Sequence, residues 1–209
     1  MRKLINQRQR SWLLRQFRQW HWISSAVCLV GMFLFAITGL TLNHAAAISS
    51  DPQVTARSGT LPPSLIAALK AMPADAKAPV PDAVRAWIKT NMGVTLRAVG
   101  NEWSDDEIYA ALPRPGGDAF LTIDRGNGAV AYELTDRGWI SYLNDLHKGR
   151  NTGDVWFWFI DVFAVACLVF CITGLVLLQL MAEQRKSTWP VVSAGLVIPL
   201  LIAVLFIHM

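Results

Sequence analysis

Histidine is scarce in this 209-residue chain, with four in all, and cysteine scarcer still, with three. Cys28, Cys167 and Cys171 all fall inside apolar runs, and an odd number of thiols placed there gives no disulfide framework. They read as small apolar residues, and although Cys167 and Cys171 share one helix face, a thiolate metal pair is not the favoured reading. Acidic residues are missing from positions 2–20, where Arg2, Lys3, Arg8, Arg10, Arg15 and Arg18 stand unopposed. Charge of either sign is missing from Trp22–Leu42, which as a helix is roughly 31 Å long, enough to cross the hydrocarbon core of a bilayer. Val155–Leu180 carries only Asp161, and Val191–Ile207 is a shorter apolar run that contains Pro199.

Three transmembrane helices are the simplest count. The unopposed cations put the N-terminus in the cytoplasm by the positive-inside rule. The stretch between the first two spans then lies outside, the short loop around Arg185 and Lys186 inside, and the C-terminus outside. The net charge of +4 is not a nucleic-acid signal, because residues 44–154 hold eleven Lys/Arg against thirteen Asp/Glu and the basicity belongs to the N-terminal arm. In that arm Leu13, Leu14, Phe17 and Trp20 alternate with arginines, which predicts a short helix lying on the inner leaflet. Trp12, Trp20 and Trp22 would be its interfacial anchors against anionic lipid. Ala45-Ala46-Ala47 resembles a signal-peptide cleavage site, but the apolar run before it exceeds the roughly 7–15 residues of a signal core, so a retained anchor is expected.

Between the first two spans, Ser, Thr, Pro and Gly through residue 63 read as a linker. Apolar spacing predicts helices over Ser64–Met72 and Asp82–Met92. Extended runs follow at Thr95–Trp103, Ile108–Leu112, Ala119–Asp124 and Ala129–Leu134, the last two joined by a Gly126-Asn127-Gly128 turn. This is a small α+β module without histidine or cysteine up to residue 146, and nothing in it looks catalytic. Asp105, Asp106 and Glu107 read as a solvated turn, and Asp124-Arg125-Gly126-Asn127-Gly128 reads as a hairpin turn rather than a calcium loop, since the EF-hand spacing and terminal Glu are absent. The expected organisation is a basic cytoplasmic amphipathic arm over 1–20, a first transmembrane helix over 21–43, an extracytoplasmic linker and α+β domain over 44–154, and a second transmembrane helix over 155–181. A cytoplasmic loop over 182–190 and a third transmembrane helix over 191–209 complete it. The fold class is membrane α-helical with an inserted small α+β domain.

All four histidines mark span boundaries: His21 opens the first run, His44 lies just past it, His147 precedes the second, and His208 closes the third. Imidazole is the usual haem-iron ligand and a common metal ligand, so this placement points to a membrane haem or metal site, with snorkelling interfacial side chains as the alternative. The first two spans also share an echo, Ala36-Ile37-Thr38-Gly39-Leu40 and Cys171-Ile172-Thr173-Gly174-Leu175. Glycine there permits close approach of a helix or a flat macrocycle, and threonine can bond a carbonyl one turn back. A second motif, Leu143-Asn144-Asp145-Leu146-His147-Lys148-Gly149-Arg150-Asn151-Thr152-Gly153, sets Lys148 and Arg150 beside His147. There they would meet haem propionates, another anionic ligand or lipid headgroups.

These motifs occur together with Gln19-Trp20-His21-Trp22 opening the first span, Asn43-His44 ending it, and a strand–Asp124–turn–strand before the second. In that combination, over nearly its whole length, the chain resembles the PepSY-associated transmembrane proteins, in particular their short branch. Larger members have additional spans and include inner-membrane reductases that use two b-type haems to reduce siderophore-bound iron. The resemblance implies a PepSY-like domain in the outside segment, haem b as cofactor, and His21, His44 and His147 as candidate ligands. His44, His147 and His208 are expected near the outer surface and His21 alone near the inner one, about 34 Å from His44 by helical rise, so those two cannot share an iron. One protomer would then form one outer bis-histidine site. An inner site would draw on a second His21 in a homodimer, on a partner protein, or on a non-histidine ligand. The function expected is electron transfer from a cytoplasmic or membrane donor to an outside acceptor, a ferric chelate or redox protein. The alternative is a non-catalytic accessory protein whose PepSY-like domain binds a partner. Asp161 remains a candidate functional acid, since a carboxylate inside a span is expensive unless paired.

Overall fold

The computed structural model describes residues 6–48, 51–73 and 78–207; Arg2, Lys3 and His208 lie outside the described residues. The chain divides into two compact units, residues 1–34 with 159–209, and residues 35–158.

The first unit is helical. α1 (Gln7–Asn43) and α5 (Asp154–Met181) contribute to it, and α6 (Thr188–Ile202) follows a 3₁₀ turn at Ala182–Gln184. Including the π-helical turn Ala203–Ile207 that extends α6, these are three helices long and apolar enough to cross a membrane. The separate helix expected for the basic arm is not present. The arm and the first span form one unbroken helix, because no glycine or proline between Gln7 and Trp22 interrupts the intrahelical ladder. Few side chains in this unit are buried, and those that are, Ser24, Cys28 and Thr173, are small. Small residues let helix backbones approach where lipid offers no hydrophobic drive. Gly31 is one such point, since a methyl group there would run into the ring of Phe163. Arg10 donates through Nη2 to the carbonyl of Leu180 (3.1 Å), placing a cation at the C-terminal end of α5, where the helix dipole favours one. Pro199 has no N–H for the carbonyl one turn back, and the helix widens into the π turn just beyond it.

The second unit is built on a five-stranded antiparallel sheet of order β1-β5-β4-β3-β2, with β1 Gln53–Thr60, β2 Glu102–Trp103, β3 Glu107–Ala111, β4 Gly117–Asp124 and β5 Ala129–Asp136. Period-two burial along β4 turns Ala119, Leu121 and Ile123 inward. Helices α2 (Pro63–Lys70) and α3 (Asp82–Met92) cover that face, and Leu69, Val84, Ile88 and Met92 pack with Ile108, Leu121, Ile123 and Val130 into one core. The β4–β5 connection is the expected hairpin: Asp124 Oδ1 accepts the N–H groups of Gly126 (2.7 Å) and Asn127 (2.9 Å), and Gly128 takes φ +76°. Arg125 next to it is buried. Its guanidinium donates to the carbonyls of Leu69 and Met72 at the end of α2 and to that of Ser104, and it lies 5.5 Å from the Trp103 ring centroid.

Three expectations are corrected here. The segment read as a linker contains β1, an edge strand whose residues are nearly all exposed, so it carries none of the apolar alternation by which a strand is recognised. The run from Thr95 enters the sheet only at Glu102. Before that the chain turns at Gly100 (φ +85°), and the buried Asn101 amide donates back to the Arg97 carbonyl (3.1 Å). An unexpected helix, α4 (Gly138–Lys148), follows β5 and ends at Gly149 in the left-handed conformation (φ +67°).

Candidate functional site

The echoed sequence is one residue longer than composition alone draws attention to: Phe35-Ala36-Ile37-Thr38-Gly39-Leu40 and Phe170-Cys171-Ile172-Thr173-Gly174-Leu175. Within a helix, positions i and i+3 share a face, so each copy presents a phenyl ring and a threonine hydroxyl side by side, with a bare glycine next to them. Each copy holds one histidine.

In the helical unit the partner is His21. Its ring stacks on Phe170 with centroids 4.6 Å apart and planes 16° from parallel. Its Nδ1 lies 3.0 Å from Thr173 Oγ1 and 3.2 Å from the Phe170 carbonyl oxygen. A Cβ on Gly174 would sit 3.2 Å from His21 Cε1, so the glycine makes room for the imidazole. His21, Phe170, Cys171, Gly174, Leu178 and Met181 line a groove of about 610 Å³, a volume in the range of small-molecule and cofactor pockets. The groove is almost wholly apolar apart from the imidazole.

In the sheet-bearing unit the partner is His147, on the last turn of α4. Nδ1 lies 2.6 Å from Thr38 Oγ1, the ring packs against Phe35 (centroids 4.8 Å, 42° between planes), and the Gly39 Cβ position is 3.7 Å from His147 Cε1. One turn earlier on α4, Asn144 Oδ1 accepts from the Thr41 hydroxyl (2.6 Å). Asp145 is buried; it accepts the Gly116 N–H (2.8 Å) and is gripped by Arg150 through Nε (2.9 Å) and Nη2 (3.2 Å). Trp156 Nε1 donates to the carbonyl of Leu146 (2.9 Å). The Asn144–Arg150 motif is thus chiefly a fastening that sets His147 on Thr38. Arg150 is half exposed but committed to Asp145, and Lys148 is a second exposed cation of the motif.

The other expected residues stand apart. His44 is exposed at the end of α1, and its Nδ1 donates to the Leu40 carbonyl of its own helix (3.0 Å). His208 lies outside the described residues. Asp161 is exposed on α5, and no hydrogen bond or ion pair joins it to the described residues. Among the described residues no three His, Cys, Asp or Glu side chains gather as a metal centre, and the structure brings each cradled histidine to a threonine rather than to a second ligand. In all three described histidines Nδ1 is engaged, and Nε2 has no hydrogen-bond partner among the described residues.

Residues 12–208, nearly the whole chain, match the sequence family described as Putative PepSY_TM-like. The chain belongs to that family. No curated protein and no solved structure matches it. As a PepSY_TM-like protein with three membrane-length helices it is a multi-pass membrane protein, and both histidine cradles fall within the matched region. Sequence reasoning had the Thr-Gly echo and the histidines but not their pairing. The phenylalanine three residues before each threonine was the signal that links them.

Proposed function

We propose that this PepSY_TM-like protein is a b-type haem electron-transfer protein of the bacterial inner membrane. In this reading its N-terminus is cytoplasmic, its sheet-bearing unit is a PepSY-type domain outside, and its acceptor is extracytoplasmic, such as ferric iron or a ferric siderophore. One observation carries the reading: His21, His44 and His147 each have Nδ1 tied to an oxygen, and Nε2 has no hydrogen-bond partner among the described residues. Imidazoles that ligate metal are oriented in this way, with the far nitrogen held by a second group. The donor set fits haem better than a chelated ion, since each cradle offers one imidazole beside a flat ring, and His21 also lines an apolar groove. Bound haem would supply reversible one-electron exchange at iron, with a potential set by its axial ligands, their hydrogen bonds and burial.

The chain's own residues would do the rest. His147 and His44 would hold the haem iron toward the outer face, with Lys148 available to a propionate. His21 would be the ligand at the inner face, its groove closed by a second copy of the chain or by a sulfur donor such as Met181 on the same wall. The apolar groove at His21 would lower the local dielectric around an iron held there. A reduced-minus-oxidised optical spectrum of the purified full-length protein tests this. A b-type signal is expected. A folded preparation made with haem supplied in excess and then freed of unbound haem, without Soret absorption, would leave the accessory reading, in which the sheet-bearing unit binds a partner protein. His44→Ala and His147→Ala are expected to remove the same haem and His208→Ala to have a smaller effect. Topology is checked by a periplasm-only reporter inserted near residue 60, which is expected to be active.

A further inference from the structure

We infer that Thr38 and Thr173 are positioning residues that set the tautomer of the two cradled histidines, and that the repeated Phe-x-Ile-Thr-Gly-Leu hexapeptide is a device for presenting an imidazole with Nε2 bare. The argument is a proton count. A threonine hydroxyl has one hydrogen to give. At Thr173 that hydrogen is directed to the preceding turn of its own helix, to the Val169 carbonyl (2.7 Å) or the Phe170 carbonyl (3.0 Å). At Thr38 the Phe35 carbonyl, 3.1 Å away, stands in the same place to accept it. Side-chain back-bonding of this kind leaves the hydroxyl oxygen with only lone pairs to offer the imidazole. With the threonine hydrogen used in this way, the hydrogen between the two residues sits on Nδ1. His21 gives an independent check, because its Nδ1 is also 3.2 Å from the Phe170 carbonyl oxygen, an atom that can only accept. With Nδ1 protonated, the neutral ring carries its lone pair on Nε2, the nitrogen without a hydrogen-bond partner among the described residues.

The two cradles share three contacts, phenyl, hydroxyl and glycine, yet their histidines come from different elements, the first part of α1 and the end of α4. The contacts therefore belong to the hexapeptide, not to one helix pairing. The cradles also differ in one respect that makes the inference testable: His21 has two oxygens at Nδ1 and His147 has one.

The inference about haem affinity rests on the proposed function; the tautomer does not. The test is nitrogen-15 NMR of the histidine-labelled, full-length protein in detergent without added haem, followed by haem titration. Wild type is expected to show unprotonated Nε2 at His21 and His147. Thr38→Val is expected to admit the Nε2–H form at His147, and Thr38→Ser to restore the original signal. Thr173→Val is expected to disturb His21 less, since the Phe170 carbonyl remains. Haem affinity at the altered site should fall about 10–100-fold, the usual cost of losing a partner behind a metal-bound histidine. Protonated Nε2 at His147 in wild type, or an unchanged tautomer in Thr38→Val, would overturn the inference, even if haem binds. Absence of haem binding with the Nδ1–H tautomer in place would remove the proposed function and leave the inference standing. Should a valine variant fail to fold, the wild-type and Thr38→Ser spectra still decide it.

Discussion

Cutting the Asp145–Arg150 fastening from its two ends should give unequal results. The Asp145 side chain is 5% exposed and that of Arg150 53%. Arg150→Ala therefore strands a buried carboxylate whose remaining donor is the Gly116 N–H, whereas Asp145→Asn leaves an arginine that can turn to water. Removing one partner of a fully buried ion pair costs about 3–5 kcal/mol. Because Arg150 is half exposed, solvent already screens the pair, and about 2–3 kcal/mol is the better expectation. Asp145→Asn keeps an oxygen for Gly116 and loses only the charge assistance, about 1 kcal/mol. For a chain of this size 1 kcal/mol moves Tm by about 2–4 °C. Thermal unfolding of the full chain in detergent, followed by near-ultraviolet circular dichroism, should show a drop of roughly 4–12 °C for Arg150→Ala and roughly 2–4 °C for Asp145→Asn. The double variant should be more stable than Arg150→Ala alone, because the stranded charge is gone. A fall in Asp145→Asn as large as that in Arg150→Ala, or a double variant no better than Arg150→Ala, would refute the reasoning.

Gly174→Ala should shift the His21 ring resonances and Gly39→Ala should leave those of His147 nearly in place, since the added methyl meets its imidazole at 3.2 Å in one case and 3.7 Å in the other; the reverse order in NMR would show that the cradles are misassigned. Gly116→Ala combines φ +77° with a methyl 2.8 Å from Tyr142 Cα, so it should cost about 2–4 kcal/mol, read as a lower Tm. Arg125→Met leaves the carbonyls of Met72 and Ser104 without their side-chain donor and that of Leu69 with its backbone donors alone, and amide hydrogen exchange along α2 should quicken while that of α5 stays unchanged.

The membrane-length helices were legible in the linear chain because lipid-facing surface has to be apolar wherever a helix sits, and Trp22–Leu42 or Val155–Leu180 declares that by composition. The bounds of α3 were legible for a similar reason: Val84, Ile88 and Met92 fall at helical spacing and Gly93 ends the helix in the left-handed conformation. Such signals are local, each read from a dozen neighbours. β1 was not legible, since an exposed edge strand is defined by the β5 residues it bonds, which are distant in the chain, as in the register pair Val54 with Thr135. α4 carried readable spacing at Ile140, Leu143 and Leu146, but its buried positions, Asn144 and Asp145, are polar and so hid the face on which it docks. The candidate site divides in the same way. That histidine and Thr-Gly pairs cluster at the span ends is a property of the sequence; that His21 meets Thr173 and His147 meets Thr38 depends on contacts between residues more than a hundred positions apart. Hydrogen-bond geometry at such distances is decided by helix packing and loop closure, which no local pattern encodes.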